Sequence, residues 1–328
     1  MSEAKKNGDV KSTNQLIIQN DVEATNPEII QYHTPVLLKE AIEALNIKED
    51  GVYVDCTFGG GGHSRELLKH LGPNGKLIVF DQDEDAKRNV PNDDRIIFVP
   101  QNFRHLQRFL RLHKFAKVDG VLADLGVSSH QFDTAERGFS TRFDAAMDMR
   151  MDNRQTTTAA KVLNSFTELQ LHKMFEKYGE VTNAKTLAKT IVEQRLIKPF
   201  TTINSFKQSI SSVVKGNPNK YLAQVFQALR IEVNEEMKVL EEMLEQTKAV
   251  LNKDGRVAVI SFHSLEDRIV KNFFKNGSIE EQEADDFYGT RTENPFIIIT
   301  KKPITASSTE QKNNTRSRSA KLRVAQKK

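Results

Sequence analysis

Cysteine occurs once in the 328 residues, at Cys56. That excludes an internal disulfide framework and a cysteine-based zinc cluster. Its place in an apolar run beside glycines marks it as a small core residue rather than a reactive thiol. No apolar run approaches the roughly 20 residues that span a bilayer, and the polar N-terminus lacks the hydrophobic region of a secretory signal. The expectation is a cytoplasmic chain with no membrane contact. The excess of one charge sign is small too: 48 Lys and Arg against 44 Asp and Glu give a formal net charge of only +4, too small to announce a nucleic-acid partner. No internal repeat of fixed period is present. At 38% hydrophobic content the chain has material for one large core or two domains.

What the sequence does contain is a cofactor site in outline. Residues 54 to 64 read VDCTFGGGGHS, an apolar strand-like run closing on Asp55 and then four glycines. Consecutive glycines between a strand and a helix expose amide groups and carry no Cβ to keep a ligand away. Gly59 to Gly62 can therefore touch a nucleotide-like molecule, and Ser64 is placed to cap a helix over Arg65 to His70. The next run, KLIVFDQDEDA, ends in Asp81, where α/β nucleotide folds put a carboxylate for ribose hydroxyls. The dinucleotide fingerprint fails at its third glycine, because counting from Gly59 and Gly61 gives Ser64 there. S-adenosylmethionine has no pyrophosphate and needs only the glycine loop and the ribose carboxylate. A nicotinamide oxidoreductase stays as the competing reading, and a solvated Asp81 beside a plain tight turn as the bland one.

Residues 1 to 30 are polar and read as a flexible leader. HTPVLLKEAIEAL then gives a helix with Thr34 as cap, Pro35 at its first position and Val36, Leu37, Ile42 and Leu45 as its apolar face. Strand-like runs at 52 to 56, 76 to 81, 95 to 99 and 118 to 124, with crossover helices between them, form the βαβ pattern of a parallel sheet. From about Asp133 to Asn234 the pattern turns helical, with TELQLHKMFEKYG and NAKTLAKTIVEQRLI carrying apolar residues at spacings of three and four. Strands resume with GRVAVISF at 255 to 262, and FIIITKK at 296 to 302 with AKLRVA at 320 to 325 read as a closing hairpin. The fold class is thus α/β, a Rossmann-like sheet split between residues 31 to 132 and 235 to 328, with an inserted helical substrate-recognition domain at 133 to 234.

The strand in DGVLADLGVSSHQFD ends at Asp124, beside the switch point that receives the glycines. A carboxylate there can accept the protons of an exocyclic amine and favour its pyramidal transition state; a strand-end or capping carboxylate is the plain alternative. SFHSLEDR puts His263, Ser264 and Glu266 on the same rim as candidates for holding a base or phosphate, although Ser264 also reads as a helix start. Lys301, Lys302, Lys312, Arg316, Arg318, Lys321, Arg323, Lys327 and Lys328 crowd the C-terminus as a basic tail that can bind phosphates or simply be solvated. FQALRIEVNEEMKVLEEML reads as one helix with a core-packing stripe through Phe226, Leu229, Val233, Met237 and Leu240. No clustered His and Cys spacing points to a metal.

At this point the chain resembles a known family, the bacterial RsmH or MraW small-subunit ribosomal RNA cytosine N4-methyltransferases. The motifs that carry the resemblance are HTPVLL, VDCTFGGGGHS, DGVLADLGVSSHQFD, AERGFS with DMRMD, FQALRIEVNEE, GRVAVISFHSLEDRIVK and NNTRSRSAKLRVA. They cover nearly everything from His33 onward. The resemblance implies a class I methyltransferase fold, S-adenosylmethionine as methyl donor, and RNA held in part by the helical insertion. It puts the cofactor contacts on Gly61, Gly62, His63, Asp81, Phe103, Asp124 and Gln131, with Asp124 orienting the target amine and Phe103 flanking the adenine. By residue type alone Phe103 is as well a core phenylalanine. Arg316 and Arg318 join His263, Ser264 and Glu266 as substrate candidates. The expected partner is small-subunit ribosomal RNA or the assembled small subunit, and a homodimer is a further expectation. The chain departs from its relatives at His130, where a proline is common, and in NKYLAQV before FQALRIE. A non-catalytic ribosome-assembly factor is the third reading.

Overall fold

The structure is a computed structural model that describes residues 35–279 and 293–328. The leader at 1 to 30, His33 and Thr34 lie outside the described residues. Seven strands form one sheet: β1 (Val52–Asp55), β2 (Lys76–Phe80), β3 (Ile96–Val99), β4 (Val118–Asp124), β5 (Leu251–Ser261), β6 (Phe296–Ile298) and β7 (Lys321–Lys327). Their order is β3-β2-β1-β4-β5-β7-β6. The first five run parallel, and β7 lies antiparallel between β5 and β6. This is the class I methyltransferase order.

The parallel strands are short apolar runs because both of their faces are buried, and alternate side chains enter opposite cores. Tyr53, Leu77, Leu122 and Ala258 face one core, shared with α1 (Leu38–Leu45) and α2 (Gly62–Lys69). Val54, Ile78, Val121 and Val257 face the other, with α3 (Leu106–Leu112) against it. Between β2 and β3 the expected crossover helix is only a 3-10 segment, Glu84–Asn89.

After β4 come α4 (Ser129–Asp133), α5 (Ala159–Ser165), α6 (Glu168–Gly179), α7 (Ala184–Ile197), α8 (Ile203–Ser209) and α9 (Pro218–Asn234). From α5 on they surround a third core that includes Leu171, Phe175, Leu187, Ile191, Phe206 and Leu229. Next are α10 (Glu236–Val250), α11 (Ser264–Asn276) and α12 (Ser308–Asn313). Leu240 and Met243 of α10 and Phe273 of α11 belong to the second sheet core.

Four local expectations are corrected. Pro35 is not a first helical residue: α1 starts at Leu38 after Leu37 in the left-handed region at φ 52°. The Leu37 amide donates to Glu310 Oε1 at 2.8 Å, which holds this entry open. Nor is FQALRIEVNEEMKVLEEML one helix. Glu235 breaks it at φ 49°, and Asn234 makes the break specific. Its buried amide accepts from the Met151 N–H and donates to the Met149 and Arg230 carbonyls, each within 2.9 Å. Apolar spacing is continuous across this point, so periodicity does not see the break. The strand at 296 to 302 is cut to three residues, although it pairs with β7 as read.

The basic tail is also corrected, because Lys321, Arg323 and Lys327 stand within β7. Arg323 is 8% exposed and donates to Asp267 Oδ1 at 2.6 Å, while Lys321 Nζ reaches Oδ2 at 3.2 Å. Burial would raise the Asp267 carboxyl, but these cations hold it below its ordinary value. Removing one partner of a buried pair leaves the other charge uncompensated. Asp267→Ala is therefore expected to lower stability by about 3 kcal/mol in urea unfolding. A loss below about 0.5 kcal/mol, the ordinary surface value, would mean that the pair does not anchor β7.

Candidate functional site

Strand order reverses between β1 and β4, and the crevice at their carboxyl ends is a cavity of about 830 Å³. Its floor is organised by Asp55, a buried carboxylate at the end of β1. Oδ2 accepts from the Ser64 hydroxyl at 2.6 Å and Oδ1 from the Thr57 amide at 3.0 Å. The Thr57 hydroxyl in turn accepts from the Asp124 N–H at 2.7 Å. β1, the glycine loop, α2 and the end of β4 are thereby tied together. Ser64 is thus no helix cap: α2 begins two residues before it, with Gly61 in the cap position.

Gly59 and Gly61 both have positive φ, 50° and 72°. A Cβ on Gly62 would stand 2.1 Å from Pro35 Cγ, so this glycine serves close packing, and Pro35 finds its role there. Asp81, just past β2, grips the loop: Oδ2 accepts from the Gly59 N–H at 2.7 Å and Oδ1 from the Asp83 N–H at 2.8 Å. Each oxygen keeps a lone pair for a ribose hydroxyl. Burial pushes Asp81 up to about 7, against the pull of those two amides.

Asp124 lines the same cavity. Its Oδ2 lies 3.7 Å from His63 Nδ1, and its Oδ1 is buried without a hydrogen-bond partner. Burial pushes Asp124 up to about 6; His63 opposes this, while Asp55 and Glu266 add to it. His63 is buried with Nε2 3.1 Å from the Val36 carbonyl. Nδ1, the other ring nitrogen, is the one directed at Asp124.

The remaining candidates divide. Phe103, in a short 3-10 segment, lines the cavity and also packs against the second sheet core. Gln131 lines it too, but both ends of its amide are engaged, by the Ser128 N–H at 3.2 Å and Asp83 Oδ2 at 2.7 Å. Glu266 and Arg316 reach the cavity; His263, Ser264 and Arg318 are not among its lining residues. The cap of α11 is His263 rather than Ser264, with Glu266 closing the capping box. Ser264 is exposed, 3.5 Å from Glu180 Oε1, and Arg318 is exposed and donates to the Gln311 carbonyl.

Sequence reasoning missed several residues. Asp83 is buried and paired with Arg137 at 2.8 Å, and Arg230 holds Glu236 through two bonds of 2.8 and 2.9 Å. Arg137 is far from Asp83 in sequence, and the Arg230–Glu236 pair, though close along the chain, spans the helix break at Glu235 that apolar periodicity hides. Asp55 and Thr57 carried a signal, a carboxylate ending an apolar strand just before glycines. Glu236, His263 and Glu266 offer ligand atoms within 4.8 Å of one another, but the Arg230 guanidinium already neutralises Glu236. Burial alone would raise Glu266, yet His263, Arg230 and the Phe262 N–H hold it below its ordinary range.

The comparisons with known proteins decide what this cleft belongs to. Residues 30–328 match the MraW methylase family. The chain belongs to that family. It is a methyltransferase whose methyl donor is S-adenosylmethionine, and the nicotinamide alternative falls away. The chain is similar to the ribosomal RNA small subunit methyltransferase H of Flavobacterium johnsoniae, 53% identical over 91% of this chain and 98% of that protein. The protein of the same name from Bacteroides fragilis is 52% identical over 90% of this chain and 98% of its own length. Among solved structures, an rRNA methylase from Streptococcus thermophilus aligns over 88% of this chain and 93% of that one at 11% identity and TM-score 0.37, too loose a likeness to add to the argument. Among the described residues no helix is long and apolar enough to cross a membrane.

The lining suits this cofactor: a glycine loop of which Gly59, Gly60 and Gly62, but not the buried Gly61, face the cavity, a ribose-type carboxylate and an aromatic wall. It carries a stability cost. The folded chain keeps a proton on Asp124 up to about pH 6, while the unfolded chain releases it near its ordinary value of 3.8, so stability falls as pH rises through that window. Asp124→Asn should therefore be more stable than the parent at pH 8, by about 1–3 kcal/mol, and equal to it near pH 4. Urea unfolding at the two pH values measures this; a variant less stable at pH 8 would contradict it.

Proposed function

We propose that the chain methylates the exocyclic N4 amine of a cytosine in small-subunit ribosomal RNA. Two findings support this reading: relatives named for the small subunit at about half identity, and the unpartnered Asp124 Oδ1 in the cleft of the glycine loop. The observation that carries the amine chemistry is Asp124, an acceptor with a free oxygen.

Cytosine N4 is a poor nucleophile because its lone pair is delocalised into the ring. Asp124 Oδ1 accepts one of the amine protons, which favours the pyramidal geometry in which the lone pair points at the methyl group. The bound sulfonium supplies an electrophilic methyl. As the N–C bond forms, the sulfur–methyl bond would break with its electron pair going to sulfur, so that the donor would leave as the neutral thioether; the amine nitrogen gains positive charge next to the carboxylate, and the released proton passes to solvent. His63 steadies the far oxygen of Asp124. Gly61 and Gly62 bring the loop main chain close to the donor, Asp81 takes the ribose hydroxyls, Phe103 flanks the adenine, and Gln131 fixes α4 over the cleft by holding Asp83. Glu266 and Arg316 meet the substrate, with His263 positioning Glu266; Ser264 and Arg318 act on more distant phosphates. The target base must leave any helix to reach this depth.

In this reading residues 133 to 234 form the RNA-holding insertion, and the setting is cytoplasmic, on naked RNA or the assembled subunit.

Transfer of labelled methyl from S-adenosylmethionine to unmodified small subunits tests the proposal. Label is expected in N4-methylcytidine, with the rate down at least about a hundredfold in Asp124→Ala. Since Asp124 works as a carboxylate, the parent's rate should fall as pH drops below about 6. Label in another nucleoside would refute the N4 assignment. Cofactor binding without any transfer would favour an assembly factor.

A further inference from the structure

One side of the cleft mouth carries an arrangement that neither the cofactor nor the target amine uses. Phe132 of α4 has two guanidinium groups over its ring, Arg142 at 5.2 Å and Arg316 at 5.3 Å from the centroid. Arg142 also stands 5.3 Å from the ring of Phe143. The order is Arg316, Phe132, Arg142, Phe143: cation, ring, cation, ring.

Charge and exposure set this stack apart from ordinary packing. Asp133 is the shared counter-ion, with Oδ1 2.7 Å from Arg142 Nη2 and Oδ2 3.6 Å from Arg316 Nη2. Two guanidiniums against one carboxylate leave a net positive charge. Burial lowers Arg316 from its ordinary value; Asp133 opposes this and the Arg142 charge adds to it, so the one carboxylate is shared between two cations. Arg316 is aimed further by the Ser129 hydroxyl, to which it donates. Phe132, Asp133, Arg142 and Arg316 line the cavity. Phe143 is not among its lining residues and is 38% exposed, and the Arg142 side chain is 57% exposed.

Alternating planar cations and rings suit one class of ligand in particular. Unpaired nucleic acid offers flat bases that stack on rings and guanidinium planes, and phosphates that need a cation alongside. An acidic peptide would use the charges but not the exposed ring. We infer that this stack grips the unpaired RNA strand flanking the target nucleotide, a base resting on Phe143 and a phosphate on Arg142 and Arg316. The inference rests on the RNA methyltransferase reading above and adds to it the surface that holds the strand.

Fluorescence anisotropy with a short unpaired RNA oligonucleotide, across a salt series, tests it on the full chain. Phe143→Ala is expected to weaken binding about tenfold with the salt slope unchanged, and Phe143→Tyr to restore it. Arg142→Gln should weaken binding and lower the log–log salt slope by about 0.7, the share of one phosphate contact on a single strand. Calorimetry with S-adenosylmethionine should give the parent affinity in all three variants, which shows that the cleft is intact. Parent-like RNA binding in Phe143→Ala and Arg142→Gln overturns the inference. So does an intact chain that ignores unpaired RNA, or equal losses on a duplex. Methyl transfer on the same preparations separates the two readings. Transfer with unaltered RNA binding in the variants refutes the grip alone; selective loss of RNA binding without any transfer by the parent keeps the grip and refutes the methyltransferase reading.

Discussion

The bonds around the Asp55 carboxylate fix where everything else in the cleft stands. A buried carboxylate is tolerated only when its lone pairs are engaged, and Asp55 is satisfied by Ser64 from α2 and Thr57 from the loop. Thr57 then takes the Asp124 N–H. One side chain at the end of β1 thus sets the start of the glycine loop, the placement of α2 and the end of β4. Asp81 closes the loop from the other side by accepting the Gly59 N–H. What remains open among these anchored groups is the Asp124 Oδ1 atom, and the proposed chemistry is placed there.

The three carboxylates illustrate how one crevice divides labour by environment. Asp55 has its hydrogen bonds supplied from within the chain. Asp81 has one amide on each oxygen and is pushed up to about 7 by burial, which leaves it short of donors that a ribose would provide. Asp124 is the least satisfied, with His63 3.7 Å from one oxygen and the other oxygen unpartnered. Groups that are costly in the resting protein and improved by a ligand are what a binding site is expected to contain.

The sheet was readable because parallel strands buried on both faces must be short apolar runs, and five of these appear in the sequence with turn signals between them. The glycine loop and Asp81 were readable for a related reason, since few residue types can form a strand-to-helix turn that admits a ligand. The helix break at Glu235 was hidden because the apolar stripe runs through it unchanged, while its cause, the buried amide of Asn234, lies in contacts to residues more than eighty positions away. The basic C-terminus misled in the same way. Lys321 and Arg323 look like a tail until Asp267, from a helix over fifty residues earlier, is brought beside them. Ser64 looked like a cap because it follows the glycines; only the position of Asp55 shows that it points inward.

The central claim is that this crevice is built to hold S-adenosylmethionine by its ribose through Asp81. Calorimetric titration of the cofactor into the parent chain and into Asp81→Asn, at pH 6 and pH 8, tests it directly. The account predicts binding about ten to a hundred times weaker in the variant at pH 8, the worth of a hydrogen bond to a charged group. It also predicts that the parent loses affinity on going to pH 6, below the Asp81 value of about 7, while the variant does not. Equal affinities in the two proteins at both pH values would contradict it.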